Sequence, residues 1–274
     1  MSSVKVDVTA VRNHQVLEQH RTALQWLSPL DFPAQQHDII SRKENGTGQW
    51  FLGSAEFGEW QQGPNKMLFC PGIPGAGKTM VAAIAIEHLL VRARSEDIGV
   101  AFLFCNYKAQ AEQTCGMLLA TLLRQLLQNR PEAVSIVARM HDTHQRHNTR
   151  PSLDELQSAL QAVCSTYTTV YIVVDALDEF TSQDRPRTAF IEHLRRLQSS
   201  AHVRLLFTSR FIPEIQDEFT SDPRLEVKAS DHDVRKYVSA QIPRLPRCIQ
   251  DNISLVKEVQ DSIVEAVDGM YVNQ

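Results

Sequence analysis

Gly72-Ile73-Pro74-Gly75-Ala76-Gly77-Lys78-Thr79 is the stretch on which the reading of this chain turns. It satisfies the pattern GxxxxGK[ST] in full. Glycines let the backbone turn tightly and bring several N–H groups toward one anion. Lys78 adds a mobile positive charge for phosphate oxygens, and Thr79 offers a hydroxyl to a divalent cation. A helix opening at Lys78 points the positive end of its dipole at the same place. The flanks agree with this reading. Met67 to Cys70 is a buried-strand pattern leading in, and Met80 to Arg94 is an apolar helical pattern leading out. All eight residues, Gly72 through Thr79, are therefore expected to hold the phosphates of a nucleotide.

A phosphate loop predicts binding, and an acidic element is needed for magnesium. Tyr171-Ile-Val-Val-Asp175 supplies one: apolar strand formers ending in a carboxylate. Thr79 and Asp175 are the expected magnesium ligands, Asp175 acting through water because Mg2+ keeps much of its hydration shell. Asp178 and Glu179 follow within one turn, and either could orient an attacking water. Leu205-Leu-Phe-Thr208 is a further strand, ending in Thr208-Ser209-Arg210. Arg210 at that strand end is expected to reach a γ-phosphate; the competing reading pairs it with a local carboxylate.

Outward from these motifs, short apolar runs alternate with longer helical ones. Val100–Cys105 and Val170–Val174 read as strands, with Leu225–Val227 as a short fifth candidate. Leu118, Leu119, Leu122, Leu123, Leu126 and Leu127 recur at helical spacing within Glu112–Gln128. Ser152 and Glu155 form a capping-box pattern that opens a helix. Strands this continuous in apolar residues, alternating with helices, indicate an α/β fold with a parallel sheet covered on both faces. Ahead of it residues 1–65 are mixed, and Trp50, Phe51, Phe57 and Trp60 are expected to anchor that stretch onto the main domain; lining a base pocket is the alternative. Behind it come further helices, over Asp231–Ala240 and Ile249–Val267. The division expected is a helical lead-in at residues 1–48, then 49–229 and 230–274, the last reading as the truncated start of a helical domain.

Composition excludes several classes. A net charge of -4 argues against a general nucleic-acid surface, and no run approaches the roughly 18–20 apolar residues of a membrane span. Five cysteines without a CxxC pair read as reduced thiols in a cytoplasmic protein. No secretory signal is visible at the N-terminus. His141, His144 and His147 read as part of a solvated connection, because Arg139, Arg146 and Arg150 make a cation site awkward. A small-molecule kinase would need an Arg-rich acceptor lid after the second strand, where the leucine-rich helix stands instead.

Trp26-Leu-Ser-Pro-Leu-Asp-Phe32, Gly46-Thr-Gly-Gln-Trp-Phe51, Cys70 to Thr79 and Val173-Val-Asp-Ala-Leu-Asp-Glu179 together resemble the NACHT-type NTPase module. The form is similar to the nephrocystin-3-like N-terminal one of fungal NOD-like and ankyrin-repeat proteins. Thr208–Glu214 and Ala266–Met270 fit the same resemblance, which spans Trp26 to Val272. It implies a signal-transduction ATPase of the STAND class: ADP holds a closed monomer, and exchange for ATP allows oligomerisation through the nucleotide domain. Arg210 then matches the sensor-1 arginine. Relatives often carry Gly after the first Asp of the acidic strand, where this chain has Ala176. They also carry a winged-helix segment and flanking effector and repeat domains, none of which is expected within these 274 residues. The function expected is a slow, magnesium-dependent ATP/ADP switch, with adenine favoured because no guanine-reading Asn-Lys-x-Asp segment occurs. The alternative is a non-catalytic nucleotide-binding module or a truncated receptor remnant.

Overall fold

The computed structural model describes residue 18 and residues 21–63, 66–181, 184–228, 230–242 and 253–272. Four strands form one parallel sheet: β1 Met67–Pro71, β2 Ile98–Phe104, β3 Thr169–Asp175 and β4 Val203–Ser209, in the order β1-β4-β3-β2. Every residue of β1 and β2 is buried, and β3 and β4 each leave a single residue part-exposed. Successive side chains point to opposite faces of a strand, so such burial means that both faces are covered. The covering helices include Lys78–Arg92, Cys115–Gln128 and Asp184–Ser200. All six leucines read from the helical spacing of Cys115–Gln128 are buried. Its N-cap Thr114 accepts from the backbone N–H of Met117.

The two edges are closed by different means. At β2, the buried amide of Gln125 receives the N–H of Phe102 at 3.0 Å and donates to its carbonyl at 2.8 Å. Gln113 repeats the device one step on, accepting from Asn106 N–H at 2.9 Å and donating to Phe104 O at 3.1 Å. A glutamine amide matches a peptide unit in donors and acceptors, so each one finishes the ladder as a further strand would. At β1 the edge is met by Pro223 to Val227. Leu225 N–H donates to Phe69 O, and Val227 N–H to Pro71 O. The expected fifth strand is thus an isolated bridge between Phe69 and Arg224 rather than a strand. Pro223 brings no N–H, and too few residues follow to extend the pairing.

The lead-in joins the same core. Leu27, Phe32, Phe51, Phe57 and Trp60 are buried in it, and Gln36 donates to Ala83 O at 2.8 Å. Trp60 meets Tyr171 of β3 edge-on at 5.4 Å between ring centroids. These contacts show the anchoring role of Phe51, Phe57 and Trp60. The His segment is not a solvated connection: it is the helix Ser135–His147. His144 is buried there, with Thr149 Oγ1 2.7 Å from Nδ1, Glu155 Oε1 3.2 Å from Nε2, and Trp26 stacked on its ring. Trp26 is remote in sequence, which is why the local polar run misleads. Among the described residues no group of three or more His, Cys, Asp or Glu side chains is gathered as a metal site, and no helix is long and apolar enough to cross a membrane.

The expected capping box is present, with Ser152 Oγ accepting from Glu155 N–H and the Glu155 carboxylate accepting from Ser152 N–H. The helices Asp231–Gln241 and Ile253–Val272 follow the sheet. Residues 249–252 of the expected last helix, most of the lead-in before residue 21, and Cys248 lie outside the described residues. Substituting Gln125→Leu should strand the buried N–H and C=O of Phe102. We expect a loss of about 2–4 kcal/mol, read as a lower urea midpoint with unchanged m-value.

Candidate nucleotide-binding site

The phosphate loop leaves β1 at Pro71 and enters the helix at Lys78, at the carboxyl end of the sheet where open α/β folds place their ligands. Its glycines do different work. Gly75 and Gly77 have φ of +81° and +90°, and a Cβ on either would meet no atom within 4 Å. They bend the chain under open space. At Gly72 an added Cβ would lie 2.6 Å from the carbonyl oxygen of Val227, so glycine is needed there for packing. The same residue donates its N–H to Ser209 O at 3.0 Å, tying the loop to the end of β4.

Gly77 caps the following helix with no side-chain hydrogen bond, so the first N–H groups of the helix are not capped by a side chain. Lys78 Nζ folds back on the carbonyls of Gly72 (2.8 Å) and Ile73 (2.7 Å). Burial pulls its pKa down, against the opposing fields of Asp178, Asp175 and Glu179. An ammonium whose hydrogen bonds among the described residues go to loop carbonyls, with helix N–H groups free of a side-chain cap and clear space above two left-handed glycines, fits a polyphosphate.

Asp175 ends β3 with a side chain that is almost wholly buried. Thr208 of the neighbouring β4 donates to its Oδ1 at 2.5 Å, and Thr79 lines the same cleft beside it. Burial raises the carboxyl pKa, while Thr208, Thr79 and Lys78 oppose that rise. The carboxylate and hydroxyl oxygens that meet here suit a hard cation, so Asp175 and Thr79 fit magnesium by donor chemistry. Thr208 also accepts from Ala176 N–H at 2.9 Å. Ala176 itself is left-handed (φ 53°, ψ 49°). That conformation gives the physical reason for glycine at this place in relatives, and alanine costs about 1 kcal/mol there.

The cleft over the loop encloses about 370 Å³ and brings together Lys78, Thr79, Asp175, Asp178, Glu179 and Arg210. Asp178 and Arg210 are paired: Asp178 Oδ1 accepts the Arg210 backbone N–H at 3.0 Å and Oδ2 accepts Nε at 2.5 Å. This contact raises the arginine pKa further. Glu179 Oε2 accepts from Tyr107 N–H at 3.3 Å, and the Glu179 carbonyl from Gln110 Nε2. Tyr107 belongs to a single 3-10 turn, Tyr107–Ala109, just after β2.

A second cavity, about 400 Å³ and mostly apolar, shares Gly75 and Gly77 with the first. Its walls include Trp50, Met80, Ile84, Val234 and Tyr237. Asp233 at its rim accepts from Gly48 N–H at 2.7 Å, and Lys236 donates to Gly46 O. Sequence reasoning singled out Trp50 but neither residues 230–238 nor Thr208. The one signal for Thr208 was a polar residue closing an apolar strand.

Fold and site together define a P-loop NTPase of the NACHT type, within the STAND class. The family model for nephrocystin 3, N-terminal, matches residues 46–210, and the chain belongs to that family. It is accordingly a nucleotide-binding NTPase domain. A comparison with curated proteins finds no match. Among solved structures, Drosophila ORC bound to DNA is similar at 12% identity and a TM-score of 0.48, over 85% of this chain and 57% of that one. The Walker-type ATPase of Pyrococcus abyssi matches at 12% identity and 0.45, over 78% and 60%. Domain III of the Thermotoga maritima replication initiation protein DnaA matches at 10% and 0.44, over 85% of each chain. The chain thus spans about three-fifths of the Drosophila and Pyrococcus chains. Likeness at this level concerns general architecture and carries nothing about activity.

Thr208→Val keeps the shape of a buried residue and removes its hydroxyl. It should strand Ala176 N–H and withdraw a donor from Asp175, lowering stability by about 2 kcal/mol in chemical denaturation.

Proposed function

We propose that this chain is an ATP/ADP switch with slow, magnesium-dependent hydrolysis, whose nucleotide state governs self-association or partner binding. The observation that carries the reading is the junction of two unlike cavities at Gly75 and Gly77. The polar one suits phosphates, and the apolar one beside Trp50 and Tyr237 suits a base, which we take to be adenine. A nucleotide lying across the junction would touch the sheet domain and the helix Asp231–Gln241 at once. Its binding would then be coupled to the seating of that helix on Gly46 and Gly48.

In this reading Gly72 to Thr79 cradle the phosphates through backbone N–H groups, and Lys78 moves from the loop carbonyls to the phosphate oxygens. Asp175 and Thr79 hold magnesium, which supplies charge neutralisation on the phosphates. Glu179 orients the attacking water, and Arg210 faces the terminal phosphate. The division into a lead-in (1–48), an NTPase domain (49–229) and the start of a helical domain (230–274) belongs to the same proposal. So does a cytoplasmic location, in keeping with the free thiols of Cys70, Cys105, Cys115 and Cys164.

A specific observation favours a second reading, a nucleotide-binding module that hardly turns over. Both carboxylates after Asp175 already have protein partners, Glu179 in Tyr107 N–H and Asp178 in Arg210.

Thermal unfolding with magnesium and ATP, ADP or GTP tests the binding claim. At about 100 times Kd, binding stabilises the native state by roughly 2.7 kcal/mol, several degrees for a chain of this size. The shift should appear with adenine nucleotides and vanish in Lys78→Ala; no shift with any nucleotide, from a cooperatively folded sample, overturns the reading. Glu179→Gln divides the two alternatives. Single-turnover hydrolysis should fall by about a hundredfold or more with the thermal shift retained, whereas a non-catalytic module would show no turnover to lose.

A further inference from the structure

We infer that Asp178 is a positioning residue for Arg210, not the group that activates water, so that the two adjacent carboxylates divide their labour. This rests on the nucleotide reading above. The left-handed turn at Ala176 starts the short helix Leu177–Phe180, on which Asp178 and Glu179 are successive residues. Successive residues on a helix point about 100° apart, and the surroundings here differ accordingly. The Asp178 side chain is 2% exposed, while that of Arg210 is 48% exposed. Both of its oxygens already accept hydrogen bonds from Arg210, so it is poorly placed to take a proton from water.

What encloses Asp178 is also what it holds. One oxygen takes the backbone N–H of Arg210, fixing where the chain leaves β4, and the other takes Nε, fixing the plane of the guanidinium. Nε is the inner edge of the fork. The donors on Nη1 and Nη2 make no hydrogen bond to the described residues, and Arg210 lines the phosphate cleft. A planar guanidinium gripped by one edge presents its other edge in a set direction, which suits phosphate recognition. Glu179 keeps one carboxylate oxygen outside the contact with Tyr107 N–H and lines the same cleft. Both carboxylates line that cleft, and Glu179 is the one with an oxygen that accepts no hydrogen bond from the described residues.

The two roles separate in binding, without recourse to turnover. Fluorescent ADP and a fluorescent, non-hydrolysable ATP analogue would be titrated with magnesium into wild type, Asp178→Asn, Arg210→Ala and the double variant, each first checked by its melting profile. Wild type should prefer the triphosphate. Asp178→Asn and Arg210→Ala should each lose that preference by about tenfold, with ADP affinity little changed, and the double variant should lose no more than Arg210→Ala alone. Asp178→Glu, which keeps the charge, should recover part of it. If Asp178→Asn does not fold, Arg210→Lys takes its place: it keeps the charge but lacks the Nε that Asp178 grips, and should lose the preference likewise.

Retained preference in Asp178→Asn overturns the inference, as does additivity in the double variant. For the substitute, retained preference in Arg210→Lys does the same. A wild type that binds both nucleotides equally overturns it too, since Arg210 then does not read the third phosphate. Failure of wild type to bind either nucleotide is a different result and brings down the nucleotide reading itself.

Discussion

Burying an ionisable carboxylate is costly unless hydrogen bonds replace the water it loses, and Asp175 is almost wholly buried. Its donor comes from another element, Thr208 on β4. The requirement to satisfy one side chain therefore ties β3 to β4 at the end of the sheet, where Gly72 N–H on Ser209 O fastens the phosphate loop as well. Thr208 does a second service by accepting the N–H of Ala176, whose left-handed backbone turns the chain toward Asp178 and Glu179. The strain of that turn is local and small. It is maintained because the strand before it and the short helix after it are both packed into the core.

The loop itself shows how one sequence pattern can contain unlike constraints. Gly75 and Gly77 need left-handed backbone under open space, whereas Gly72 needs room for the Val227 carbonyl. Lys78 rests on the carbonyls of its own loop, so a polyphosphate exchanges those partners for anionic ones. The cost of holding the ammonium in a half-buried place is met in part by the fields of Asp178, Asp175 and Glu179.

Around this centre the sheet is finished by side chains as much as by strands. Gln125 and Gln113 complete the outer edge of β2, and Pro223 to Val227 lie along the edge of β1. Both edges are thus partly covered, which limits their use as a template for another chain. The segment on the β1 side also runs from the sheet toward the helix Asp231–Gln241, so the covered edge leads directly to the wall of the apolar cavity.

Much of this was legible in the sequence because it is local. Glycines at fixed spacing, an apolar strand before them, a carboxylate closing Tyr171 to Asp175 and a capping box at Ser152 each depend on neighbours within a few residues. Backbone sterics and burial period alone are enough to read them. Partnerships across long intervals were not legible: Asp178 with Arg210, Thr208 with Asp175, His144 with Trp26, Gly48 with Asp233. The first two depend on the strand order β1-β4-β3-β2, which sets β4 beside β3; the other two depend on how helices and the lead-in pack. The sequence by itself determined that the chain has a phosphate loop on a parallel sheet, since those signals are written in adjacent residues. Only the tertiary structure decided which charges neutralise one another around it and which helix faces it, because contacts between distant residues follow from how the elements pack.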